Sequence, residues 1–447
     1  MTIRILKPIQ GGTIRAIASK SEAHRLLICA ALAGADSATP ADKKTFISCA
    51  DRSEDIDATV RCLQAIGAAL RYENNGFFVT PIDRTLIQPC GMGEADAEPK
   101  MLDCAESGAT LRFLLPVCAA LGLPVSFNMK GRLPERPLSS LWDEILSHGC
   151  TLSRHSQSHL VCKGQLKSGT YTLPGNISSQ FVSGLLLALP LLSGSSIIRV
   201  TDILESRPYV DMTLDALRLF GITVIEEEAQ VFSIKGGQTG ASPGNINVSG
   251  DWSNAAFCLC AGAIGKNAGF EKSAVSCTGL DLDSRQGDRA IVDLLERFGA
   301  IVTRSKDAIT VSPGKPHGIE IDAGDTPDLV PVLAAVASVA EGKTIIRNAK
   351  RLRIKESDRL ATVAKLLSSL GADITETEDG LVINGRKILS GGETQSYGDH
   401  RIAMTAAILS GMCEGPVIIR DAEAVNKSYP YFFEDYKALG GQYEYLR

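Results

Sequence analysis

The sequence lacks any apolar run long enough to cross a bilayer, although 44% of its 447 residues are apolar. The longest run, GLLLALPLLSG at 184–194, falls well short of the roughly 18–20 residues that a transmembrane helix needs. We therefore expect no association with membranes. The opening stretch MTIRILKPIQGG also lacks the uninterrupted apolar segment of a signal peptide, so we expect a cytoplasmic protein.

An excess of positive charge is also missing. The formal net charge is −5, which argues against a general nucleic-acid binder, because such proteins normally carry a basic excess. A nucleotide-binding loop of the form G-x-x-x-x-G-K-S/T and the sequence signature of a catalytic triad are both absent. The sequence therefore predicts neither a P-loop enzyme nor a triad hydrolase.

The twelve cysteines contain no C-x-x-C pair and have no histidine at metal-ligand spacing. Only Cys258 and Cys260 stand close together, and most of the others, such as Cys29 and Cys118, stand singly in apolar stretches. We expect reduced, buried cysteines that act as small apolar residues in a reducing compartment, and no metal site.

A polar or charged stretch followed by an apolar helix and a glycine occurs six times, with 69 to 88 residues between successive glycines. Glycine is favoured just beyond a helix because it enters the left-handed region without steric cost. The six copies are SEAHRLLICAALAG (ending at Gly34), SGATLRFLLPVCAALG (Gly122), SSQFVSGLLLALPLLSG (Gly194), DWSNAAFCLCAGAIG (Gly265), DTPDLVPVLAAVASVAEG (Gly342) and GDHRIAMTAAILSG (Gly411).

A second pattern alternates with the first: an amphipathic helix, a glycine, and two strands joined by a polar turn, as in LQAIGAALRYENNGFFVTP at 63–81. Together the two patterns predict six βαβαββ units in an α/β fold, with three units in each of two domains. The apolar helices should be buried and parallel, and the sheets should lie outside. We expect one domain over 1–18 and 250–447 and the other over 19–249, with the first residues returning to complete the former.

Cations concentrate at the starts of the apolar helices or in the loops beside them. A helix start carries unpaired N–H groups and about half a positive charge, and it binds anions readily. If the six starts line a cleft between the domains, these side chains would bind a ligand with several phosphate or carboxylate groups. The cations are Lys20, Arg25, Arg112, Arg132, Arg136, Arg207, Lys355, Arg359, Arg401 and Lys427.

Two carboxylates accompany these cations. Asp328 opens the fifth apolar helix, and Glu356 lies in RLRIKESDRL at 351–360. An acid near many cations stays ionised at neutral pH, which suits a proton acceptor. Asp328 and Asp251 could equally be helix N-caps, a common position for aspartate, and the residues alone leave both interpretations open.

In order and spacing, several motifs together resemble those of the EPSP synthase (3-phosphoshikimate 1-carboxyvinyltransferase) family over the whole chain. The motifs are SKSEAHR, ESGATLRF, GRLPERP, NISSQF, ESRPYVD, TPDL, RIKESDR, YGDHRIAM and NKSYP. The chain differs from the usual family pattern at Ala18, Glu106, Ala109 and Arg351.

The resemblance implies transfer of the enolpyruvyl group from phosphoenolpyruvate to the 5-hydroxyl of shikimate 3-phosphate, with release of phosphate. This reaction belongs to the shikimate pathway to chorismate and the aromatic amino acids. In this family it proceeds by addition and elimination through a tetrahedral intermediate without a metal or cofactor. We therefore expect no cofactor, small-molecule substrates only, and a monomer.

The resemblance also implies roles for individual residues. Asp328 would remove the proton of the 5-hydroxyl, Glu356 would protonate and deprotonate the methylene carbon, and Lys20 would assist. Shikimate 3-phosphate would contact Lys20, Ser21, Arg25, Ser178, Ser179, Gln180, Ser206, Tyr209, Asp328 and Lys355. Phosphoenolpyruvate would contact Lys20, Gly108, Arg132, Arg136, Gln180, Arg359, Arg401 and Lys427. Because Gly108 is retained, we expect glyphosate to compete with phosphoenolpyruvate.

Three alternative functions predict other features. The enzyme that transfers enolpyruvate to UDP-N-acetylglucosamine typically carries a cysteine where this chain reads KGRLPERPLSS at 130–140. RNA 3'-phosphate cyclase would need a nucleotide-activating histidine, and a non-catalytic anion-binding protein would release no phosphate. For the transferase, exclusion of water from the site predicts hinge closure near 18–20 and 249–251.

Overall fold

The computed structural model describes residues 1–34, 44–87, 98–265, 274–306 and 308–446. The chain forms two compact units, which we call unit 1 (Met1–Ser19 with Ser249–Arg447) and unit 2 (Lys20–Val248). The chain passes from one unit to the other after Ser19 and again after Val248, each one residue from a sequence-predicted boundary.

The elements follow one another in three blocks along the chain. Unit 1 opens with β1 (Thr2–Lys7) and β2 (Gly12–Arg15). Unit 2 comprises α1 (Lys20–Leu32), β3 (Thr45–Ser48), α2 (Glu54–Ala65), β4 (Ala69–Glu73), β5 (Gly76–Thr80), β6 (Lys100–Ala105), α3 (Gly108–Ala120), β7 (Val125–Met129), α4 (Ser139–Ser147), β8 (Cys150–Ser156), β9 (His159–Gly164), β10 (Thr170–Leu173), α5 (Ser179–Ala188), β11 (Ser196–Val200), α6 (Arg207–Leu219), β12 (Val224–Glu228), β13 (Val231–Ile234) and β14 (Asn245–Asn247). Unit 1 then resumes with α7 (Trp252–Ile264), β15 (Val275–Thr278), α8 (Ile291–Arg297), β16 (Ile301–Arg304), β17 (Ala308–Ser312), β18 (Glu320–Asp322), α9 (Val330–Ala337), β19 (Lys343–Arg347), α10 (Arg359–Ser369), β20 (Asp373–Glu376), β21 (Leu381–Asn384), β22 (Gly392–Gln395), α11 (His400–Leu409), β23 (Val417–Arg420), α12 (Phe432–Ala438) and β24 (Gln442–Leu446).

Each unit contains three four-stranded sheets with one shared topology in the described part of the chain. In the sheet β6-β7-β9-β8, β6 and β7 are parallel, and β9 pairs antiparallel with both β7 and β8. An apolar helix connects the two parallel strands, and an amphipathic helix precedes the antiparallel pair. The other sheets repeat this order as β10-β11-β13-β12, β14-β3-β5-β4, β2-β15-β17-β16, β18-β19-β21-β20 and β22-β23-β1-β24. The predicted fold of βαβαββ repeats is therefore confirmed.

The two N-terminal strands complete sheets whose other strands come much later in the chain. β1 pairs antiparallel with β23 and β24, and β2 pairs in parallel with β15. Unit 2 is thus inserted between β2 and α7, inside one repeat of unit 1. Since β14 ends unit 2 beside β3, unit 2 supplies all four strands of each of its own sheets.

The apolar helices form the cores of the two units. α7, α9 and α11 bury every one of their residues and pack against one another in unit 1. In unit 2, α3 and α5 pack closely together. A helix that is apolar on all sides needs such surroundings, which explains why the charged residues of these helices lie in their first two turns.

A left-handed glycine closes only one of the six apolar helices. Gly122, with φ of 69°, directly follows the C-cap of α3, whereas Gly342, with φ of 91°, stands five residues beyond the end of α9. The other four glycines have no left-handed φ, so the prediction is wrong for them. At Gly34 a Cβ atom would overlap Thr239 Cγ2, and at Gly194 it would overlap Ser168 Oγ. Close packing, rather than backbone conformation, excludes a side chain at these two positions.

Candidate active site

Five charged residues meet at the helix starts of unit 1. Asp328 lies in the 3-10 turn Pro327–Leu329 that leads into α9. Arg359 and Arg401 are the first residue of α10 and the second residue of α11. Each of these helices follows a strand of a parallel pair, so the side chains project beyond the carboxyl ends of two neighbouring sheets. We call Asp328, Lys355, Glu356, Arg359 and Arg401 the Asp328 cluster.

Three cations surround the carboxylate of Asp328. Its Oδ1 atom lies 2.7 Å from Arg359 Nη1 and 3.5 Å from Lys355 Nζ, and its Oδ2 atom lies 3.5 Å from Arg401 Nη2. Arg401 Nη1 also donates to the main-chain oxygen of Asp328 at 3.0 Å. This carboxylate binds side-chain cations and caps no helix. Asp251 is the N-cap of α7 and accepts a hydrogen bond from the Asn254 amide at 3.0 Å.

Arg359 is the most deeply buried cation of the cluster, with 1% of its surface exposed. Besides Asp328, it contacts Glu356 Oε2 at 2.7 Å and Asp399 Oδ2 at 2.8 Å. Asp399 also caps α11 by accepting a hydrogen bond from the Arg401 amide at 3.0 Å. One carboxylate therefore orients both arginines, a role that sequence reasoning missed, although an aspartate directly before an apolar helix is the signal for an N-cap.

Opposing effects set the protonation of the cluster. Burial would raise the pKa of Asp328, but Lys355, Arg401 and Arg359 outweigh burial and hold this pKa well below its usual 3.8. Burial lowers the pKa of Lys355 to about 8, against the opposing charge of Asp328. At neutral pH, Asp328 is therefore an anion and Lys355 remains mostly protonated.

Two further residues of unit 1 lie near the cluster. Lys427 ends the turn Ala422–Lys427, and its Nζ donates at 2.6 Å to the oxygen of Gly398, next to Asp399. Asp288 is fully buried, is hydrogen bonded to Ser253, and has its pKa raised to about 6 by burial and by the charge of Asp328. Asp288 lies outside the apolar repeats, so the sequence patterns did not reveal it.

In unit 2, two guanidinium groups lie against the start of α3. Ser107 caps this helix, and Gly108 is its first residue. A Cβ atom on Gly108 would lie 2.7 Å from Arg136 Nη1 and 2.9 Å from Arg112 Nη1. Arg112 Nη1 also donates to Gln180 Oε1 at 2.8 Å, which connects α3 to the start of α5. The predicted residues Gly108, Arg136 and Gln180 therefore lie together.

Arg132 is the most exposed of the predicted cations in this region. It precedes the turn Leu133–Glu135, and 42% of its side chain is exposed. Its Nε atom lies 3.3 Å from Glu135 Oε2. Arg132 thus forms an exposed ion pair, whereas Arg136 is buried.

Lys20 and Arg25 lie on the first two turns of α1. Lys20 Nζ contacts Asp55 Oδ2, at the start of α2, at 2.8 Å. Arg25 is buried and donates to the Ser21 oxygen at 2.6 Å, to Thr213 Oγ1 at 2.8 Å and to the Tyr209 oxygen at 2.7 Å. Burial lowers the pKa of Arg25 to about 10, so Arg25 stays charged and ties α1 to α6.

The predicted serines also lie at helix starts. Ser178 caps α5 by accepting a hydrogen bond from the Gln180 amide at 3.3 Å, and Ser179 is the first residue of that helix. Ser206 precedes α6 in the left-handed conformation, with φ of 55°. Together with Ser21 and Tyr209, these residues place hydroxyl and amide groups at the starts of α1, α5 and α6.

Arg207 differs from the other predicted cations. Its guanidinium contacts Asp211 Oδ1 and Glu226 Oε2, each at 2.7 Å. Both of its Nη atoms donate to Glu226, which holds the start of α6 against β12, so we leave Arg207 out of the anion-binding set. Among the described residues, no group of three or more His, Cys, Asp or Glu could hold a metal ion, and no helix has the length and apolarity to cross a membrane.

Comparison with known proteins identifies similar sequences along the whole chain. The family model for EPSP synthase (3-phosphoshikimate 1-carboxyvinyltransferase) matches residues 3–436. The 3-phosphoshikimate 1-carboxyvinyltransferase of Clostridium kluyveri is 43% identical over 432 residues, which cover 96% of this chain and 95% of that protein. The enzyme of the same name from Clostridioides difficile is 40% identical and covers 99% of this chain and 98% of that protein.

Solved structures show the same architecture. An EPSP synthase from Acinetobacter baumannii superposes with a TM-score of 0.78 at 26% identity, over 99% of this chain and 100% of that chain. The enolpyruvyl transferase NikO from Streptomyces tendae superposes with a TM-score of 0.76 at 18% identity, over 100% of this chain and 99% of that chain. The second likeness concerns the fold alone.

Proposed function

The chain belongs to the EPSP synthase family, and we propose that the helix starts of its two units together bind the two substrates of that reaction. The enzyme transfers the enolpyruvyl group from phosphoenolpyruvate to the 5-hydroxyl of shikimate 3-phosphate in aromatic amino acid biosynthesis. One observation supports the proposed roles most strongly: three cations, two of them arginines, contact the Asp328 carboxylate.

Phosphoenolpyruvate is an anion at both its carboxylate and its phosphate, and cations from both units suit it. In unit 1, Arg401 can bind a carboxylate through two N–H groups, and Arg359 can do so once it releases Glu356. In unit 2, the α3 start at Gly108 supplies main-chain N–H groups beside Arg136. The proposed contacts are Lys20, Gly108, Arg132, Arg136, Gln180, Arg359, Arg401 and Lys427.

Shikimate 3-phosphate carries a phosphate and hydroxyl groups, which suit the serines and main-chain groups at the starts of α1, α5 and α6. The proposed contacts are Lys20, Ser21, Arg25, Ser178, Ser179, Gln180, Ser206, Tyr209, Asp328 and Lys355. Since three nitrogens of Arg25 already bind protein groups, its main contribution is to hold Ser21 and Tyr209.

Asp328 accepts the proton of the 5-hydroxyl as the hydroxyl oxygen attacks C2 of phosphoenolpyruvate. With its pKa held low by cations, Asp328 is a weak base before substrate binds. An anionic substrate at Arg359 and Arg401 offsets their charge, and the proton affinity of Asp328 then rises. The base therefore strengthens only when the second substrate is present.

Glu356 exchanges a proton with C3 of the enolpyruvyl group, with Lys20 assisting. C3 gains a proton as the C2–O bond forms, which gives the tetrahedral intermediate. Glu356 then takes a proton from C3 while the bond from C2 to the phosphate oxygen breaks, and the proton held by Asp328 leaves with the phosphate. The products are the enol ether and free phosphate. The contact of Glu356 with Arg359 at 2.7 Å supports this role, because a substrate anion at Arg359 would release Glu356 to take a proton.

Phosphate release tests this function directly. Purified protein with both substrates should release phosphate in a colorimetric assay, whereas either substrate alone should release none. UDP-N-acetylglucosamine replaces shikimate 3-phosphate as the matched acceptor control. Phosphate release with UDP-N-acetylglucosamine but not with shikimate 3-phosphate would contradict the assignment.

We also propose that the enzyme acts as a monomer in the cytoplasm. The eleven cysteines among the described residues are all free and buried, which suits a reducing compartment. Light scattering after size exclusion should give a mass near 47.5 kDa. A mass twice as large that persists on dilution would contradict the monomer.

A further inference from the structure

A line of buried hydrogen bonds in unit 2 joins α1, α2 and α3 and ends beside Gly108. It starts at His24 on α1, which is 1% exposed. His24 Nδ1 lies 2.7 Å from Thr59 Oγ1, which lies 2.7 Å from Thr110 Oγ1. The Thr110 hydroxyl donates at 2.7 Å to Ser107 Oγ, and Ser107 caps α3 directly before Gly108. We call His24, Thr59, Thr110 and Ser107 the His24 chain.

The donors in the His24 chain point in one direction. Because the Thr110 hydroxyl donates to Ser107, its lone pairs accept from Thr59, and Thr59 in turn accepts from His24 Nδ1. His24 must therefore carry a proton on Nδ1. Burial, with the charges of Lys20 and Arg25, holds the pKa of His24 well below 6.5, so the ring is neutral and has this single tautomer.

A second contact runs beside the first, one helical turn away. Lys20 Nζ lies 2.8 Å from Asp55 Oδ2. Lys20 precedes His24 by four residues on α1, and Asp55 precedes Thr59 by four residues on α2. Since residues four apart share one helix face, the two contacts fix α2 against α1. The His24 chain then extends this fixed geometry to the start of α3.

The second ring nitrogen of His24, Nε2, takes no part in the His24 chain. Among the described residues, Nε2 is buried and makes no hydrogen bond. Burying a polar atom without a partner is unfavourable, and a leucine would fill similar space without that penalty. The polar contribution of His24 is therefore its Nδ1 contact with Thr59.

We propose that His24 is a positioning residue for enolpyruvyl transfer, which holds the start of α3, and with it Gly108, in register with Lys20. This inference rests on the proposed function of Gly108 and Lys20 in binding phosphoenolpyruvate. The tight fit at Gly108, where a Cβ would lie 2.7 Å from Arg136 Nη1, makes the α3 start sensitive to small displacements. A shifted helix would misalign its N–H groups relative to Arg136.

Three variants of the full chain test the proposal: His24→Leu, His24→Asn and Thr110→Val. Leucine fills the site without a donor, whereas an asparagine amide can donate from near the position of Nδ1. Valine keeps the shape of Thr110 and removes the middle hydroxyl, so the test survives if His24→Leu fails to fold. Steady-state assays of phosphate release give KM for each substrate, and thermal melts followed by circular dichroism give the folded fraction.

We expect His24→Leu and Thr110→Val to raise KM for phosphoenolpyruvate roughly tenfold and KM for shikimate 3-phosphate less than about twofold. His24→Asn should stay within about twofold of the wild type in both constants. If His24 had only a structural role, its substitution would lower the folded fraction and therefore the apparent kcat, and both KM values would stay unchanged.

Two results would overturn the proposal: unchanged KM values in folded His24→Leu and Thr110→Val, or a His24→Asn variant as impaired as His24→Leu. Absence of phosphate release by the wild type with both substrates would contradict the proposed function instead. The wild-type assay thus separates the two failures.

Discussion

Lys355 is a buried lysine whose charge depends on one carboxylate. Burial lowers its pKa to about 8, and Asp328 at 3.5 Å opposes that effect. A lysine with a lowered pKa is charged below that value and becomes neutral as the pH rises through it. A role in binding a phosphorylated substrate should therefore weaken in mildly alkaline solution.

We predict that KM for shikimate 3-phosphate rises between pH 7.5 and pH 9, about tenfold per pH unit above the pKa of about 8. Lys355→Arg should flatten this rise, because the guanidinium stays charged throughout. The exposed Lys343 offers a control, and Lys343→Arg should keep the wild-type profile. A pH profile of Lys355→Arg identical to that of the wild type would exclude Lys355 as the group whose titration raises KM.

Asp328 has a shape that asparagine matches closely, but asparagine cannot accept the proton of the 5-hydroxyl. We predict that Asp328→Asn lowers kcat at least about 100-fold, the usual minimum contribution of a general base. Asp293→Asn makes the same change in an exposed ion pair with Arg304 and should leave kcat unchanged. A kcat for Asp328→Asn within about fivefold of the wild type would assign the base to another group.

Gly108 packs against two guanidinium groups, and an added methyl group would displace them. We predict that Gly108→Ala raises KM for phosphoenolpyruvate about tenfold or more, while KM for shikimate 3-phosphate changes little. Glyphosate should compete with phosphoenolpyruvate in the wild type, since both are expected to use this position. Unchanged kinetics in the alanine variant, or no competition at high glyphosate concentration, would contradict the assignment.

Sequence reasoning identified the types of residues at this site better than their contacts. Spacing predicted that Lys20, Asp328 and Arg401 stand at helix starts, because the apolar repeat fixes where each helix begins. The partner of each side chain depends on ångström-scale packing, which no periodicity encodes. Arg207 and Arg359 have the same sequence signal, and the structure alone shows which carboxylates bind each, two for Arg207 and three for Arg359.

At the scale of elements, left-handed backbone occurs where strands lead into the helices of the site. Eight non-glycine residues of the described chain have positive φ. Asn74, Asn75 and Gln230 form hairpin turns, as the predicted Asn-Asn-Gly turn requires. The other five lie one to three residues before a helix or 3-10 turn; they are Ala105, Ser206, Asn348, Tyr397 and Asp421. The backbone strain thus falls where the chain turns to present a helix start.

Asp399 combines two functions at one of these turns, and they can be separated. Asparagine caps helices as well as aspartate does, but Asp399→Asn removes the charge that balances the buried Arg359. We predict a loss of about 3–5 kcal/mol in the free energy of unfolding, measured by urea denaturation. Asp358→Asn at the start of α10 faces the more exposed Arg353 and should cost less than about 1 kcal/mol.

If Asp399→Asn and Asp358→Asn were equally stable, capping alone would explain both residues. The pKa of Asp399 supports the charged role, because Arg359 and His400 lower it against the effect of burial. The stabilising contribution of Asp399 is therefore present above its unfolded-state pKa and is lost as the pH falls through the lowered folded-state value.

At the scale of the whole molecule, the repeat was visible in the sequence because two periodic signals alternate six times. The return of the first residues to unit 1 was predictable, since the last repeat, which closes the chain, is truncated. The position of each strand within its sheet was not predictable, because the hydrophobic pattern of a strand does not specify the strands with which it pairs. The structure supplies this order and shows that each unit contains complete sheets.

Complete sheets within each unit predict that the two units fold separately. Residues 20–248 should form a folded fragment, because β14 closes the sheet that begins with β3. Unit 1 can be made continuous, since the Ser19 amide donates at 2.8 Å to the Ser249 oxygen and Ala18 pairs antiparallel with Gly250. A glycine-containing linker of about 2–4 residues can span such a pair.

We expect both fragments to unfold cooperatively on heating, because each has its own buried helices and core. Neither fragment should release phosphate, since the proposed substrate contacts are divided between the units. Circular dichroism melts measure folding, and the phosphate assay measures activity. A non-cooperative melt of the 20–248 fragment would contradict the division into units, and phosphate release by either fragment alone would contradict the proposed division of the substrate contacts.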